Sequence, residues 1–343
     1  MASSDALNAI DETYPTFLSL CAELAGQGAG QREQGAVLIT LVGSGGRGQA
    51  AGRRAWALAD GTLRGTLTLG SCADGQLRRE VEAVQESGSG RLVSLNLGSG
   101  DDYEFGLTCS GNVTAQLTPM SPGHPLWAWL AARREAGEDV QVFTPLGDAA
   151  GPTWARSAAG DLSPQAVPDE AKAFTEHRPA PSTFLIVGAD PVAPPLAKLA
   201  RTLGLRVVVT DDQAGRMTPA HLPDAHERLI VPAGHDLLLP DLKPGDGVVV
   251  LSHNYAHELS VLGRVLGGPA SYVALVASRR RGQALVRFMA ETGTPPDALA
   301  HLRTPAGLDL GLSSPAGIAL SVLSEYVQTV RGAGAQPLSE RVE

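Results

Sequence analysis

The sequence predicts an α/β protein in which a mainly β N-terminal domain precedes a doubly wound parallel sheet. Short strand-like runs separated by Gly-rich turns fill the first half of the chain, a pattern typical of antiparallel sheets. After residue 182, near-continuous apolar runs alternate with helical patterns, as expected for a parallel sheet covered on both faces. Only 18% of the 343 residues are charged, against about 25% in average globular domains, so we expect extensive burial.

The N-terminal half contains five strand-like runs and one helical pattern over Leu7–Leu24. Asp60-Gly61 lies between two of the runs and predicts a hairpin turn. We therefore assign residues 1–146 to the first domain and the Pro/Ala/Gly-rich residues 147–182 to a linker region. The five runs are Ala36–Val42, Arg54–Leu58, Thr62–Leu69, Arg91–Leu97 and Asn112–Leu117.

The C-terminal half alternates apolar runs with helical patterns, which predicts a Rossmann-like domain over residues 183–332 and a flexible tail over 333–343. Ser314 and Pro315 are suited to the N-cap and first position of the last helix. The predicted strands are Phe184–Val187, Arg206–Val209, Leu229–Val231, Gly247–Leu251 and Tyr272–Val276; the predicted helices are Val192–Leu203, Ala256–Leu266, Gln283–Glu291 and Pro315–Val330.

Two positions after the first two strands of this domain are candidates for ligand binding, because ligands of such sheets bind beyond the carboxyl ends of the strands. Gly188 follows the first strand, but Asp190 and Pro191 stand where a dinucleotide fingerprint needs glycine and an amide donor. A strand-to-helix turn capped by Asp190 fits this loop at least as well as a nucleotide site. Asp211 ends the second strand, where related folds bind a ribose hydroxyl, although a solvated turn fits equally.

The loops after the fourth and fifth strands carry a histidine and a run of cations. We interpret His253 as a ligand contact or helix cap, because a metal site formed with His257 lacks a further ligand. Ser278-Arg279-Arg280-Arg281 coincides with the start of a helix. Cations are unfavourable at that end of a helix unless an anion binds there. The run predicts a site for a phosphate-type anion; the alternative is arginines that extend into solvent or pair with carboxylates.

Composition excludes several classes of function. The formal charge of −9 argues against a sequence-independent nucleic-acid binder. Three cysteines, at positions 21, 72 and 109, cannot form a disulfide framework and lack metal-ligand spacing. No signal peptide and no run of 18 apolar residues is recognisable, so we expect a cytoplasmic protein without a membrane span.

The motifs of both halves resemble those of the XdhC/CoxI family, accessory factors for xanthine dehydrogenase and related molybdenum hydroxylases. In the C-terminal half the resemblance is carried by VVVLSHNYAHE, YVALVASRRR, RTPAGLDLG and SSPAGIALSVLSEYV. In the N-terminal half it is carried by VLITLVGSGGRGQAAGRRAWALADGTLRGTLTLGSCADG and GLTCSGNVTAQLTP. The resemblance extends over most of residues 36–120 and 183–331.

The resemblance implies a chaperone for molybdenum cofactor rather than a turnover enzyme. Such a protein keeps the cofactor for sulfuration by a cysteine desulfurase and delivers it to a xanthine dehydrogenase-type hydroxylase; a homodimer would suit the family. Cys72 and Cys109 match the family's two motif cysteines, and thiols in glycine-rich turns can ligate molybdenum or carry sulfur. The alternative is buried, inert thiols, which better describes Cys21. The cofactor's phosphate end would meet Arg279 and Arg280, and its metal end would reach the two thiols across the interdomain cleft.

The chain departs from the family motifs at several positions. Ser71 and Ser110 replace glycines next to the motif cysteines, Asp190-Pro191 replaces Gly-His, and Ala277 replaces a glycine. Two functions of other classes also stay open. One is an NAD(P)-binding oxidoreductase, with His253 or Tyr255 as its proton donor. The other is a scaffold that docks a desulfurase and a hydroxylase without binding a small molecule.

Overall fold

The structure is a computed structural model, and it divides into two compact units. Of the residues that the structure describes, those from Thr13 to Ala180 form one unit and those from Pro181 onward belong to the other. Each is described separately below. The structure describes residues 13–26, 35–44, 51–65, 67, 71–96, 112–231, 239–251 and 255–340.

The N-terminal unit is built on a five-stranded antiparallel sheet with the order β3-β2-β1-β5-β4. The predicted hairpin at Asp60-Gly61 is confirmed, because β2 pairs antiparallel with β3 and Gly61 has a φ of 77°. The strand predicted over Thr62–Leu69 is found as β3, and part of its second half lies outside the described residues. The strands are β1 Val37–Ser44, β2 Arg54–Ala57, β3 Leu63–Gly65, β4 Arg91–Asn96 and β5 Asn112–Pro119.

Helices cover both faces of this sheet. Helix α1 (Thr13–Gly26) and helix α3 (Pro125–Glu135) share one apolar cluster with Trp56 of β2. Helix α2 (Ser71–Ser87) packs Leu77, Val81 and Val84 against the opposite face. The helix predicted over Leu7–Leu24 is therefore found as α1, and its first six residues lie outside the described part of the chain.

A second, three-stranded antiparallel sheet completes the N-terminal unit, with the order β7-β6-β8. Its strands are β6 (Val140–Pro145), β7 (Trp154–Ser157) and β8 (Ala173–Arg178). The stretch 147–182, expected to be a linker, thus contains two strands that both pair with β6. Trp154 accounts for much of this difference, because its ring is buried and stacks on Phe143 at 4.1 Å between centroids.

The C-terminal unit is a six-stranded, fully parallel sheet with the order β11-β10-β9-β12-β13-β14. The strand order reverses between β9 and β12, so the predicted doubly wound architecture is confirmed. The crevice at such a switch point is the usual ligand site. The strands are β9 Thr183–Val187, β10 Arg206–Asp211, β11 Glu227–Ile230, β12 Gly247–Val250, β13 Tyr272–Leu275 and β14 Leu302–Arg303.

Helices pack on both faces of the parallel sheet. Helices α4 and α8 contribute to one apolar cluster, and α5 and α6 contribute to the other. Ser314 caps α8 by accepting a hydrogen bond from the Gly317 amide, and Pro315 follows it in the first turn, as the sequence predicted. The helices are α4 Ala193–Thr202, α5 Tyr255–Val265, α6 Arg279–Glu291, α7 Pro296–Ala300 and α8 Pro315–Arg331, with a 3₁₀ turn at Leu338–Glu340. Within the described ranges, no helix is long and apolar enough to cross a membrane.

Candidate functional site

The loop after β9 lies at the switch point, and its backbone amides are already engaged within the protein. The Gly188 amide donates to the Thr210 carbonyl at 2.8 Å. Val192 donates to Oδ1 of Asp190 at 2.8 Å, and Ala193 donates to the Asp190 carbonyl at 3.0 Å. Pro191 has no amide proton. The loop is therefore a strand-to-helix turn in which Asp190 accepts from two of the following amides, and these amides do not form a pyrophosphate cradle. The N-cap of α4 is Val192, without a side-chain cap bond, so the expected cap by Asp190 is not observed.

Asp211 fixes the same loop from the neighbouring strand. Its side chain is buried; Oδ2 accepts from the Ala189 amide at 2.6 Å and Oδ1 from the Gln213 amide at 2.7 Å. Gly188 has a φ of 109°, a conformation that favours glycine over residues with a Cβ. The structure thus places Gly188 and Asp211 side by side at the switch point, where both shape the backbone.

The start of α6 presents two exposed cations. Ser278 is the N-cap and accepts from the Arg281 amide at 3.3 Å. Arg279 and Arg280 are exposed, and no other side chain within the described ranges forms a hydrogen bond or ion pair with them. A helix N-terminus carries partial positive charge, so these two guanidiniums add to a local positive field that an anion would neutralise.

The third arginine of the run has a different role. Nη2 of Arg281 lies 2.6 Å from Oε1 of Glu258, and the Glu258 side chain on α5 is fully buried. This ion pair joins the first turns of α5 and α6, which follow the neighbouring strands β12 and β13. For Arg281, the alternative of pairing with a carboxylate is therefore observed.

Three backbone amides of the loop after β14 donate hydrogen bonds to other segments of the unit, which the sequence did not predict. The Ala306 amide donates to the Leu275 carbonyl at 3.1 Å. The Gly307 amide donates at 2.8 Å to Oε2 of Glu325, which also accepts from the Tyr272 hydroxyl. The Leu308 amide donates to the Ser321 carbonyl at 3.2 Å. No local sequence signal marked Glu325, because its role depends on contacts between distant segments.

His221 is a second residue at the switch point that sequence reasoning missed. Its Nε2 atom lies 3.4 Å from the carbonyl oxygen of Ala189, beside the loop that Asp211 fixes. The residue lies between β10 and β11, in a segment with no periodic pattern to draw attention to it.

Of the three cysteines, Cys21 is the one whose surroundings lie within the described part of the chain. Cys21 is buried on α1, and burial raises its pKa to about 12, as expected for a core thiol. Cys72 lies in the first turn of α2 rather than in a glycine-rich turn. Cys109, like His253, lies outside the described residues. Across the described ranges, no group of three or more His, Cys, Asp or Glu side chains is arranged to hold a metal ion.

Comparisons with known proteins agree with this architecture. Residues 184–326 match the XdhC Rossmann domain. A Bacillus subtilis protein, named as a probable xanthine dehydrogenase subunit, is 31% identical over 148 residues, which is 43% of this chain and 42% of that protein. The uncharacterized protein YqeB from Escherichia coli is 29% identical over 44% of this chain and 28% of its own length. The chain therefore matches less than half the length of either relative.

The fold as a whole also has a solved counterpart. The crystal structure of a protein named as a xanthine dehydrogenase from Bacillus halodurans superimposes with a TM-score of 0.68, over 95% of this chain and 98% of that chain, at 23% identity. At this identity the match establishes a shared fold. The resemblance seen in the motifs of the C-terminal half is confirmed by the domain match: residues 184–326 match the XdhC Rossmann domain.

Proposed function

We propose that this protein binds molybdenum cofactor and delivers it, after sulfuration, to a xanthine dehydrogenase-type molybdenum hydroxylase. The XdhC Rossmann domain match supports this proposal, as does the Bacillus subtilis relative, whose name links it to a xanthine dehydrogenase. The observation that carries it is the pair of exposed guanidiniums, Arg279 and Arg280, at the capped N-terminus of α6.

The residues at α6 fit the anionic end of the cofactor. Guanidiniums bind phosphate through paired N–H donors, and a helix N-terminus favours a negative charge. Arg279 and Arg280 would hold the phosphate, while the hydrogen bond that Arg281 donates to Glu258 keeps the first turn of α6 in place. When bound, the cofactor would supply the molybdenum that the client hydroxylase uses.

The loop after β9 does not fit a phosphate group in the same way. The amides of Gly188, Ala189, Val192 and Ala193 already donate to protein acceptors. In the proposed complex, Gly188 and Asp211 therefore shape the backbone that lines the crevice. They do not supply hydrogen-bond donors to the phosphate.

The sulfur-handling part of the proposal involves the two motif thiols. Cys72 and Cys109 are the candidate residues for accepting sulfur, and a cysteine desulfurase would be the sulfur donor. The transfer would take place in the reducing cytoplasm. Cys72 lies in the first turn of α2. The same proposal includes His253 as a contact to the cofactor. It also includes a homodimer, and a xanthine dehydrogenase-type hydroxylase as the client enzyme.

The proposal is tested by the pterin content of protein co-expressed with the molybdopterin pathway. Purified protein should release a fluorescent pterin after oxidation, and the Arg279→Ser, Arg280→Ser double variant should retain about one tenth of it or less, since each charged hydrogen bond contributes about 1.5–3 kcal/mol. Arg287→Ser is the matched control, because Arg287 is an exposed arginine farther along the same helix. Equal pterin in the double variant and the control would contradict the assignment of the phosphate to α6.

The thiol part has a separate test. A Cys72→Ala, Cys109→Ala double variant should lose sulfur transfer to the cofactor, measured as sulfurated cofactor by mass spectrometry, and should also carry less pterin. Retention of both the full pterin content and the sulfurated form would remove the two thiols from the proposal.

An NAD(P)-dependent oxidoreductase is the second candidate, favoured by the doubly wound sheet alone. It predicts micromolar binding of NAD(H) or NADP(H) in a calorimetric titration. The engaged amides of the loop after β9 argue against it, because dinucleotides rely on such amides. Absence of both pterin and dinucleotide binding would instead favour a scaffold that docks a desulfurase and a hydroxylase.

A further inference from the structure

The loop after β14 contacts the chain on both sides of the two exposed arginines of α6. Before the arginines, the Ala306 amide donates to the carbonyl of Leu275 at 3.1 Å, and Leu275 is the last residue of β13. After them, Thr304 packs on Gly282 of α6. The short segment that carries both arginines therefore begins and ends at contacts with the same loop.

The contact between Thr304 and α6 requires glycine at position 282. A Cβ at this position would overlap Oγ1 of Thr304 and would lie 3.2 Å from its Cγ2. Gly282 is buried, and its amide closes the first turn of α6 by donating to the Ser278 carbonyl at 2.9 Å. Glycine destabilises a helix relative to alanine. The close approach of the loop explains why glycine stands here.

Glu325 of α8 anchors the loop. Its Oε2 atom accepts hydrogen bonds from the Gly307 amide and the Tyr272 hydroxyl, each at 2.8 Å. Tyr272 is the first residue of β13 and is buried. The Leu308 amide donates to the Ser321 carbonyl at 3.2 Å, and the Ser321 hydroxyl donates to the Leu308 carbonyl. The loop is thus bound to α8, and the carboxylate oxygen of Glu325 joins it to β13 as well.

A fixed backbone at the start of α6 favours anion binding by exposed arginines. Ordering a mobile segment on binding costs free energy and lowers affinity, whereas a site whose supporting contacts are already formed avoids that cost. The ion pair between Arg281 and Glu258 holds the first turn of α6 to α5. The loop after β14 supplies a second support for the same turn, through Thr304 and Ala306.

We propose that Glu325 is a positioning residue for the anion site at the start of α6. It holds the loop after β14, and the loop fixes the backbone before and after Arg279 and Arg280. The inference rests on the proposed function, because it takes these two arginines as the phosphate contacts. Glu325 acts through the two hydrogen bonds that its Oε2 accepts, so an amide oxygen in the same place can replace it.

The first test is a calorimetric titration of the full chain with inorganic phosphate at constant ionic strength. The wild-type protein should bind phosphate saturably, and the Arg279→Ser, Arg280→Ser variant should lose this binding. Glu325→Leu should weaken it about tenfold, the size of effect that one charged hydrogen bond has, whereas Glu325→Gln should retain nearly wild-type affinity. Gln328→Leu is the matched control on the same helix, because the Gln328 side chain forms no hydrogen bond with the described residues. It should leave the affinity unchanged.

A second set of variants separates positioning from a loss of folding. Gly282→Ala leaves Glu325 and the arginines in the chain and favours helix formation, but its Cβ would displace Thr304. It should weaken phosphate binding about tenfold. Thr304→Ala removes the two closest atoms and leaves a Cβ at 3.3 Å, so the Gly282→Ala, Thr304→Ala variant should recover the affinity. Urea unfolding of each variant establishes that it is folded during the titration.

The proposal is overturned if Glu325→Leu binds phosphate as tightly as Gln328→Leu, or if Glu325→Gln loses as much affinity as Glu325→Leu. Absence of saturable phosphate binding in the wild-type protein, or a double variant as weak as Gly282→Ala, also overturns it. The proposed function is decided separately by the pterin content of the wild-type protein. Protein that contains pterin but fails these comparisons keeps the function and loses only the positioning role of Glu325.

Discussion

Asp211 organises the switch point of the parallel sheet through two backbone amides. Its position was predictable, because an acidic residue at the end of the second strand is recognisable from spacing alone. Its partners were not, because the bond to Ala189 joins residues 22 positions apart. The same side chain that could bind a ribose hydroxyl in other proteins here holds the preceding loop.

We expect Asp211→Ala to lower the free energy of unfolding by about 2–3 kcal/mol, since two amides at the switch point lose a charged acceptor. Urea unfolding followed by circular dichroism measures the change. The neighbouring Asp212→Ala should alter it by less than about 0.5 kcal/mol, because Asp212 has no hydrogen-bond partner among the described residues. Equal effects of the two substitutions would show that the observed bonds contribute little.

Cys21 is a second residue whose environment makes a testable prediction. The thiol is buried and its sulfur accepts a hydrogen bond from Nε1 of Trp56 at 3.4 Å. Because burial raises the pKa of Cys21 from 9.0 to about 12, its thiolate population at pH 8 falls about a thousandfold. The unfolded chain ionises at lower pH, so this group contributes stability that is lost as the pH rises above 9.

A Cys72→Ala, Cys109→Ala variant retains Cys21 as its single thiol and allows a direct measurement. Iodoacetamide at pH 8 should leave the native variant unmodified, as read by intact mass, and should modify it fully in denaturing urea. Modification of the native protein at the rate of free cysteine would contradict the core assignment.

Helices α5 and α6 begin side by side, and the ion pair between Glu258 and Arg281 connects them. The sequence predicted both helices and the arginine run at the start of α6. It named Arg279 and Arg280 as the phosphate contacts but gave no physical reason to separate Arg281 from them, because only the position of Glu258 on the adjacent helix distinguishes a paired arginine from exposed ones. The distinction divides the run into one residue that stabilises the fold and two that can bind an anion.

Arg281→Ala should lower the free energy of unfolding by about 3 kcal/mol, because it leaves the buried Glu258 carboxylate without this cation. This value is at the lower end of the range for breaking a buried ion pair, since Arg281 is partly exposed to solvent. Arg280→Ala should change the free energy of unfolding by less than about 0.5 kcal/mol. Urea unfolding of both variants makes the comparison. A larger loss in Arg280→Ala would reverse the roles assigned to the two arginines.

Three of the elements that the sequence did not predict have a weak local pattern. Helix α2 follows a Gly-rich run and is mostly polar, so its three buried residues, Leu77, Val81 and Val84, did not mark it as a helix. Strands β7 and β8 lie in a stretch rich in Pro and Gly, and they are stabilised by pairing with β6. The parallel strands were recognisable because burial on both faces requires continuous apolar runs.

For the molecule as a whole, the apolar clusters follow the division into two units. Among the described residues, two clusters draw their members from between Tyr14 and Ala155, and the other two from between Phe184 and Val330. Each unit therefore has its own hydrophobic core, which is the usual condition for independent folding.

A fragment spanning residues 181–343 should consequently fold alone and unfold in one cooperative transition in urea. Circular dichroism is the appropriate probe, because all four tryptophans, at positions 56, 127, 129 and 154, lie outside the fragment. A gradual loss of signal without a transition would show that the core of this unit is insufficient by itself.

The central claim is that the protein carries molybdenum cofactor, and the most direct test is mass spectrometry of the small molecules released from the natively purified protein. We predict a molybdopterin species in stoichiometric amount relative to the chain, lost when Arg279 and Arg280 are both replaced by serine. Release of NAD(H) or NADP(H) in its place, or of no small molecule from protein made with an active molybdopterin pathway, would contradict the claim.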